Sequence, residues 1–382
     1  MSIPVLHVIT RLEPGGAQRN TLYTVGHLDR ARWAPGLAWG PGDELDEQAR
    51  ELQDVRLFEI EDLVRPVSAA KDLRALRHLR AAIRSFEPEI VHTHSSKAGV
   101  LGRLAARLER VPVVVHSVHG FGFTPLQRPW TRAAFVTAEK LAGRWTRHFI
   151  AVSHANRDLG VQKGLFTPDQ VSVIRSGIEL ERFRNPSGGD EVRRSLGLPP
   201  GVPVVTQVGN FKPQKAPLDF VRMAAQVVKR NPEPRFVMVG EGPLRGQAEA
   251  LATELGIADR VLMCGWWDRI PELLAATRVS VLSSRHEGLP RAVVESLAAG
   301  VPVVATAVDG TVEVVRPGVN GLLVSPGDVA GLAQGVCTLI EDTALWQRMS
   351  EAATQGLEDF DIDLMVHQQE ELYACLLGRN LS

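Results

Sequence analysis

The chain has 382 residues, 44% of them hydrophobic, with 43 basic side chains against 44 acidic ones. That length predicts two α/β domains, each able to bury its own core, and the even balance excludes a broadly cationic nucleic-acid binder. The charge is unevenly spread: residues 1–190 hold 26 basic and 21 acidic side chains and residues 191–382 hold 17 and 23, so the first half is expected to face something anionic.

The short apolar run Val5–Ile9 has no basic residue ahead of it and reads as a first strand, not a signal peptide. No stretch approaches the ~18 apolar residues needed to span a bilayer. Cys264, Cys337 and Cys375 lie far apart in apolar segments without metal-ligand spacing, which predicts core thiols in a reducing, cytoplasmic setting.

After the first strand, Glu13-Pro14-Gly15-Gly16 leads into a helix expected over about 18–28. Two glycines let a ligand approach the backbone. No Lys-Ser/Thr follows at P-loop spacing and the third glycine of a dinucleotide fingerprint is missing, which argues against a nucleoside triphosphate or NAD site. A helix over about 68–86 places Leu73, Leu76, Leu79 and Ile83 on one stripe. In the strand Ile90–His94 that follows, His92 alternates with apolar neighbours and reads as structural. His94 ends the strand just before Ser95-Ser96-Lys97, where open α/β sheets place ligands, so a structural role and an acceptor contact both stand.

The next strand, 111–116, runs into Ser117-Val118-His119-Gly120-Phe121-Gly122, where glycines clear space around His119 and mark it as a site residue. From Lys97 to Arg147 nine basic residues face only Glu109 and Glu139, with Trp130, Phe135 and Trp145 among the later ones. This is either a solvated helix face or a contact with an anionic lipid surface.

Glycine and proline breaks at 185–190 and 199–201 place the domain boundary at 185/186. The strand Val202–Val208 ends in Gly209-Asn210, with Lys215 at the start of the next helix, a turn that invites an anion. Strand 235–239 ends in Gly240-Glu241-Gly242, and strand 261–264 ends in Gly265-Trp266-Trp267. The apolar strand Val279–Leu282 runs into a polar loop carrying Glu287-Gly288-Leu289, with Pro290 expected in the first turn of a helix that closes at Gly300. Such a start offers free N–H groups and a positive dipole end to a phosphate. Glu295 lies roughly 7 Å further along the axis, a span suited to hydroxyl pairs on either side of a diphosphate. Asp361-Ile362-Asp363 precedes a helix rather than ending a strand, so Asp361 is expected as an N-cap and not as part of a metal motif.

Two glutamates separated by seven residues ahead of an alanine- and glycine-rich helix end resemble the signature of retaining glycosyltransferases of family 4, or group 1. The resemblance implies the GT-B fold, with two Rossmann-like doubly wound domains facing a central cleft, 1–185 on the acceptor side and 186–360 for the nucleotide-sugar. A last helix, 361–382, would cross back to the first domain. It also implies roles. Glu287 contacts the transferred sugar and Glu295 the ribose. Lys215 binds the leaving diphosphate together with the position of Asn210, where the family carries an arginine. Gly16, Gly240, Gly242, Gly288 and Leu289 line the donor, and His119 bonds the transferred sugar in a His-Gly turn; Trp266 meets the nucleobase, with a place in the core or at the domain interface as the alternative for either tryptophan. His94 and Lys97 are the expected acceptor contacts. The implied reaction is metal-free and cofactor-free transfer of a hexosyl or N-acetylhexosaminyl group from a nucleotide-sugar, UDP-sugar foremost. The implied acceptor is a glycan or a polyprenyl-diphosphate-linked sugar at the inner face of a membrane. A nucleotide-sugar epimerase of the same fold and a non-catalytic glycan-binding relative are the alternatives.

Overall fold

The computed structural model describes residues 2–123 and 127–379, in two compact units. The first comprises residues 1–177 together with 359–382, and the second residues 178–358. The first ends short of the glycine-rich 185–190 stretch because the helix Leu180–Phe183 packs on a helix of the second unit.

In chain order the first unit contains β1 (Ile3–Arg11), α1 (Gly16–His27), β2 (Trp33–Gly40), α2 (Asp46–Arg50), β3 (Arg56–Glu59), α3 (Ala69–Phe86) and β4 (Ile90–His94). It continues through α4 (Ser96–Leu108), β5 (Val113–Val118), α5 (Pro129–Gly143), β6 (His148–Ala151), α6 (His154–Gln162) and β7 (Val171–Val173). The sheet is parallel throughout, in the order β3-β2-β1-β4-β5-β6-β7. Strand alternation divides its faces. Leu6, Val8, Val91 and Val114 pack on α3 and α4, whereas Val5, Ile90, Val113 and Val115 pack on the C-terminal helix Ile362–Leu376 through Met365, Val366, Tyr373 and Ala374. Asp361 caps that helix, its carboxylate accepting from the N–H groups of Asp363 and Leu364.

The second unit contains α7 (Leu180–Phe183), α8 (Gly189–Ser195), β8 (Val204–Val208), α9 (Pro217–Arg230), β9 (Arg235–Val239), α10 (Arg245–Glu254), β10 (Val261–Met263) and α11 (Ile270–Ala275). Then come β11 (Val279–Leu282), α12 (Arg291–Ala298), β12 (Val303–Thr306), α13 (Thr311–Val314), β13 (Gly321–Val324), α14 (Val329–Glu341) and α15 (Thr343–Ala353). Its parallel sheet has the order β10-β9-β8-β11-β12-β13.

Three local expectations change. Leu79 and Ile83 are buried and Leu76 packs partly buried against the same core, with Ala75 and Ala82 beside them, but Leu73 is 50% exposed. Pro290 is the N-cap of α12, one residue earlier than the first-turn position. Of the three thiols, only Cys337 is fully buried; Cys264 is half-buried and Cys375 exposed, on the outer side of the C-terminal helix.

Candidate functional site

In each unit the strand order reverses once, between β1 and β4 and between β8 and β11. The crevice beyond the carboxyl ends of such a strand pair is where open α/β sheets bind ligands. The loops there carry most of the residues picked out from the sequence.

In the second unit the loops after β8 and β11 are tied together. Arg285 N–H donates to the Gln214 carbonyl at 2.7 Å and Gln214 Nε2 to the His286 carbonyl at 3.0 Å. Gln207 Nε2 donates to Ser283 Oγ at 2.9 Å, and that hydroxyl donates to the Lys215 carbonyl at 2.9 Å. The Arg285 guanidinium forms an ion pair with the buried Asp219 of α9.

This bracing brings Lys215 and Glu287 together although they stand 72 residues apart: Lys215 Nζ lies 2.5 Å from Glu287 Oε1. Ser284 Oγ donates to the same oxygen at 2.6 Å. The Glu287 N–H donates to Asp309 Oδ2 at 2.7 Å, and burial pushes the Asp309 carboxyl above its usual range. Glu287 is only 7% exposed. A buried carboxylate needs a partner, and Lys215 supplies the charge.

Gly288, Leu289 and Pro290 are buried and lead into the start of α12. Glu295 is largely buried on that helix, with the Arg291 guanidinium 3.7 Å from its carboxylate. Gly240 and Gly242 have φ of +132° and +155°. A Cβ on either would lie 2.4 Å from the Gly209 carbonyl oxygen or 2.7 Å from that of Phe211, so these glycines let the loop after β9 press on the Asn210 turn. Trp266 is 44% exposed just after β10, while Trp267 donates its indole N–H to the Arg269 carbonyl at 3.1 Å.

In the first unit Gly15 is the N-cap of α1 and Gly16 its first residue, directly after β1. The same unit holds a row of imidazoles. β1 and β4 are in register with His7 opposite His92, and β4 and β5 with His94 opposite Ser117. His7 Nδ1 is 3.1 Å from His94 Nε2, and His94 Nδ1 is 3.0 Å from His119 Nε2. His92 spends both nitrogens elsewhere, Nδ1 on the Tyr373 hydroxyl at 2.5 Å and Nε2 on Ser117 Oγ at 2.8 Å.

His7, His92 and His94 are at most 2% exposed. Burial depresses all these rings: His7 to about 3, His119 to about 4, and His92 and His94 well below the ordinary histidine value. The rings are therefore neutral near pH 7. His94 and His119 line a small pocket together with Asn20, Thr24, Ser117 and Arg175.

Lys97, at the start of α4, is held by Asp72 Oδ1 and the Pro66 carbonyl, each at 2.5 Å. Arg103, counted above within the basic run, is fully buried and paired with Glu139 at 2.5 Å, so it adds no surface charge. The exposed part of the run is Arg107, Arg110, Arg128, Arg132, Lys140, Arg144 and Arg147. Along α5, Trp130 is 69% and Leu141 49% exposed, and only Ala142 is buried.

His7, Ser284 and Asp309 did not stand out in the sequence. His7 sits in an apolar strand like any core residue, and its only signal is that histidine recurs on the adjoining strand at His92 and His94.

Two units built on parallel doubly wound sheets, each with a polar loop cluster at its switch point, form an α/β protein of the GT-B class. Solved structures agree on the fold. Anabaena Alr3699/HepE in complex with UDP-glucose matches with a TM-score of 0.85 at 24% identity, over 98% of this chain and 100% of that one. Sucrose-phosphate synthase from Thermosynechococcus elongatus matches with a TM-score of 0.84 at 21% identity, over 98% and 99%.

Residues 14–182 match the model of Glycosyltransferase Family 4, and residues 189–356 that of Glycosyl transferases group 1. The UDP-Gal:alpha-D-GlcNAc-diphosphoundecaprenol alpha-1,3-galactosyltransferase of Escherichia coli is 32% identical over 84% of both chains. The putative glycosyltransferase EpsD of Bacillus subtilis is 27% identical over 92% of this chain and 93% of its own. The chain belongs to the family 4, group 1 glycosyltransferases, and is a retaining, metal-independent hexosyltransferase.

Proposed function

We propose that the protein moves a hexosyl or N-acetylhexosaminyl group from a UDP-sugar to a hydroxyl of a polyprenyl-diphosphate-linked glycan. The observation that carries this reading is the Lys215–Glu287 pair, braced by Ser284 at the switch point of the second unit. A cation and a carboxylate this close suit a donor with a diphosphate beside sugar hydroxyls. On binding, Lys215 leaves Glu287 for the diphosphate and frees that carboxylate for the sugar. Lys215, Asn210 and the N–H groups of Gly288 and Leu289 ahead of α12 then face the charge that grows on the leaving phosphate. The bond between the anomeric carbon and the phosphate oxygen breaks, and one to the acceptor oxygen forms on the same face. The acceptor proton passes to the departing phosphate.

Glu295 is assigned to the ribose, Trp266 to the base, and Gly16, Gly240 and Gly242 to the loops that admit the donor. His119 is assigned to the transferred sugar. Lys97 is assigned to the acceptor side, exchanging Asp72 for it, whereas His94, whose two ring nitrogens face His7 and His119, stands behind His119 and not on the acceptor. The E. coli relative's name, which pairs UDP-Gal with a diphosphoundecaprenol-linked sugar, supports both donor and acceptor classes.

Exposed Trp130 and Leu141 among Arg128, Arg132, Lys140 and Arg144 support peripheral docking on the inner face of an anionic membrane. No helix among the described residues is long and apolar enough to cross one. Thermal shift with a panel of nucleotide-sugars tests the donor class: UDP-sugars should raise the melting temperature, and stabilisation only by GDP- or ADP-sugars would overturn the UDP assignment.

A further inference from the structure

Three neutral imidazoles in a row carry three ring protons and share two N···N contacts. Each contact needs one proton, because two lone pairs or two N–H groups face to face repel. The third proton must therefore sit at one end of the row, on His7 Nε2 or on His119 Nδ1, and its place sets the tautomer of every ring.

The two ends differ. His7 is wholly buried, lines no pocket described above, and its Nε2 has no partner among the described residues. A proton there would leave an orphaned N–H, which is rarer and less tolerated in protein interiors than an unfilled acceptor. His119 is partly exposed as a residue and lines the pocket after β5, and its Nδ1, itself covered, has no protein partner among the described residues either. The His119 end borders a pocket, where a ligand oxygen that enters can complete the proton, and the His7 end lies in the core with no such space beside it.

We propose that His7 and His94 are positioning residues that hold His119, through this chain of hydrogen bonds, as the tautomer with its proton on Nδ1, so that His119 meets the substrate as a hydrogen-bond donor. His7 Nδ1–H donates to His94 Nε2, His94 Nδ1–H donates to His119 Nε2, and His119 Nδ1–H points its proton at a hydroxyl oxygen of the transferred sugar. The last step rests on the assignment of His119 to that sugar; the tautomer does not.

Ligand atoms of His7, His92 and His94 also lie within 4.8 Å of one another, a spacing that could hold a metal ion. Filling such a site would break the His7–His94 contact and take His92 from Tyr373 and Ser117, so the two readings exclude each other.

Nitrogen-15 NMR of protein labelled at histidine decides the tautomer on the intact wild-type chain, with His119 assigned by the signals that vanish in His119→Gln. The expected result is a protonated, pyrrole-type Nδ1 and an unprotonated, pyridine-type Nε2 at His119. The reverse pattern would overturn the proposal, as would a stoichiometric first-row metal retained by the purified protein and lost in His7→Leu. In a transfer assay, His94→Leu should lower kcat about tenfold or more, one hydrogen bond's worth of orientation. His94→Gln, whose amide can still donate to His119 Nε2, should recover most of it. Equal loss in both variants would count against the relay. If His119→Gln itself turns over normally, the assignment of His119 to the sugar fails while the tautomer result stands or falls by the NMR.

Discussion

Acidification should destabilise the first unit well before its carboxylates titrate. His7, His92, His94 and His116 are each at most 4% exposed, and burial holds all four rings far below the ordinary histidine value. In the unfolded chain the same residues protonate near pH 6.5. Between that value and the folded one the unfolded state binds more protons, so stability rises with pH and is lost as pH falls. From about pH 7.5 to about pH 5.5 each such histidine shifts the balance by about 1.4 kcal/mol, and four together by about 5 kcal/mol. That is a third or more of the ~5–15 kcal/mol by which domains are stable. Asp309, raised by burial in the second unit, acts in the opposite sense and cannot imitate the effect. Urea unfolding followed by the fluorescence of Trp33 and Trp39, both buried in the first unit, should show a midpoint falling steeply over this window. His7→Leu should flatten the dependence by about one histidine's share, whatever it does to absolute stability. A midpoint unchanged between the two pH values would refute the assignment of neutral buried imidazoles.

Glu287→Ala and Lys215→Ala should each lower turnover at least about a hundredfold with the fold intact, the scale of losing one preorganised stabiliser of the transition state; near-normal rates in either variant would sink the assigned donor site. EDTA should leave turnover unchanged if Lys215 and the start of α12 take the diphosphate charge as proposed, and a loss restored by Mg²⁺ or Mn²⁺ would contradict this. Liposome co-sedimentation should rise with anionic lipid, fall with salt, and weaken when Arg128, Arg132, Lys140 and Arg144 are neutralised, each exposed charge being worth about 1 kcal/mol at most. Indifference to lipid charge would favour a soluble acceptor.

The loops that carry Lys215 and Glu287 were legible in the sequence because glycine, proline and the strand pattern place both residues at the carboxyl ends of β8 and β11, and neighbouring strand ends in a parallel sheet put their loops side by side. What the pattern does not carry is who partners whom. Nothing near Arg103 in the chain says that Glu139, 36 residues on, reaches it and removes it from the surface. Leu73 alone of the α3 stripe is left exposed, and Cys375 faces outward because Tyr373 and Ala374 take the buried side of the last helix. His7 was hidden for the same reason: its meaning comes from the register of β1 against β4, which sets it opposite His92, and a strand's own sequence does not state its register.

Retaining transfer to a lipid-linked sugar can be read by incubating the protein with UDP-hexoses and a short-chain polyprenyl-diphosphate sugar and determining the product's anomeric configuration by NMR. The expected product carries a new glycosidic bond with the donor's configuration retained, and it forms only when acceptor is present. An inverted linkage, or a donor converted to its epimer without acceptor, would contradict it.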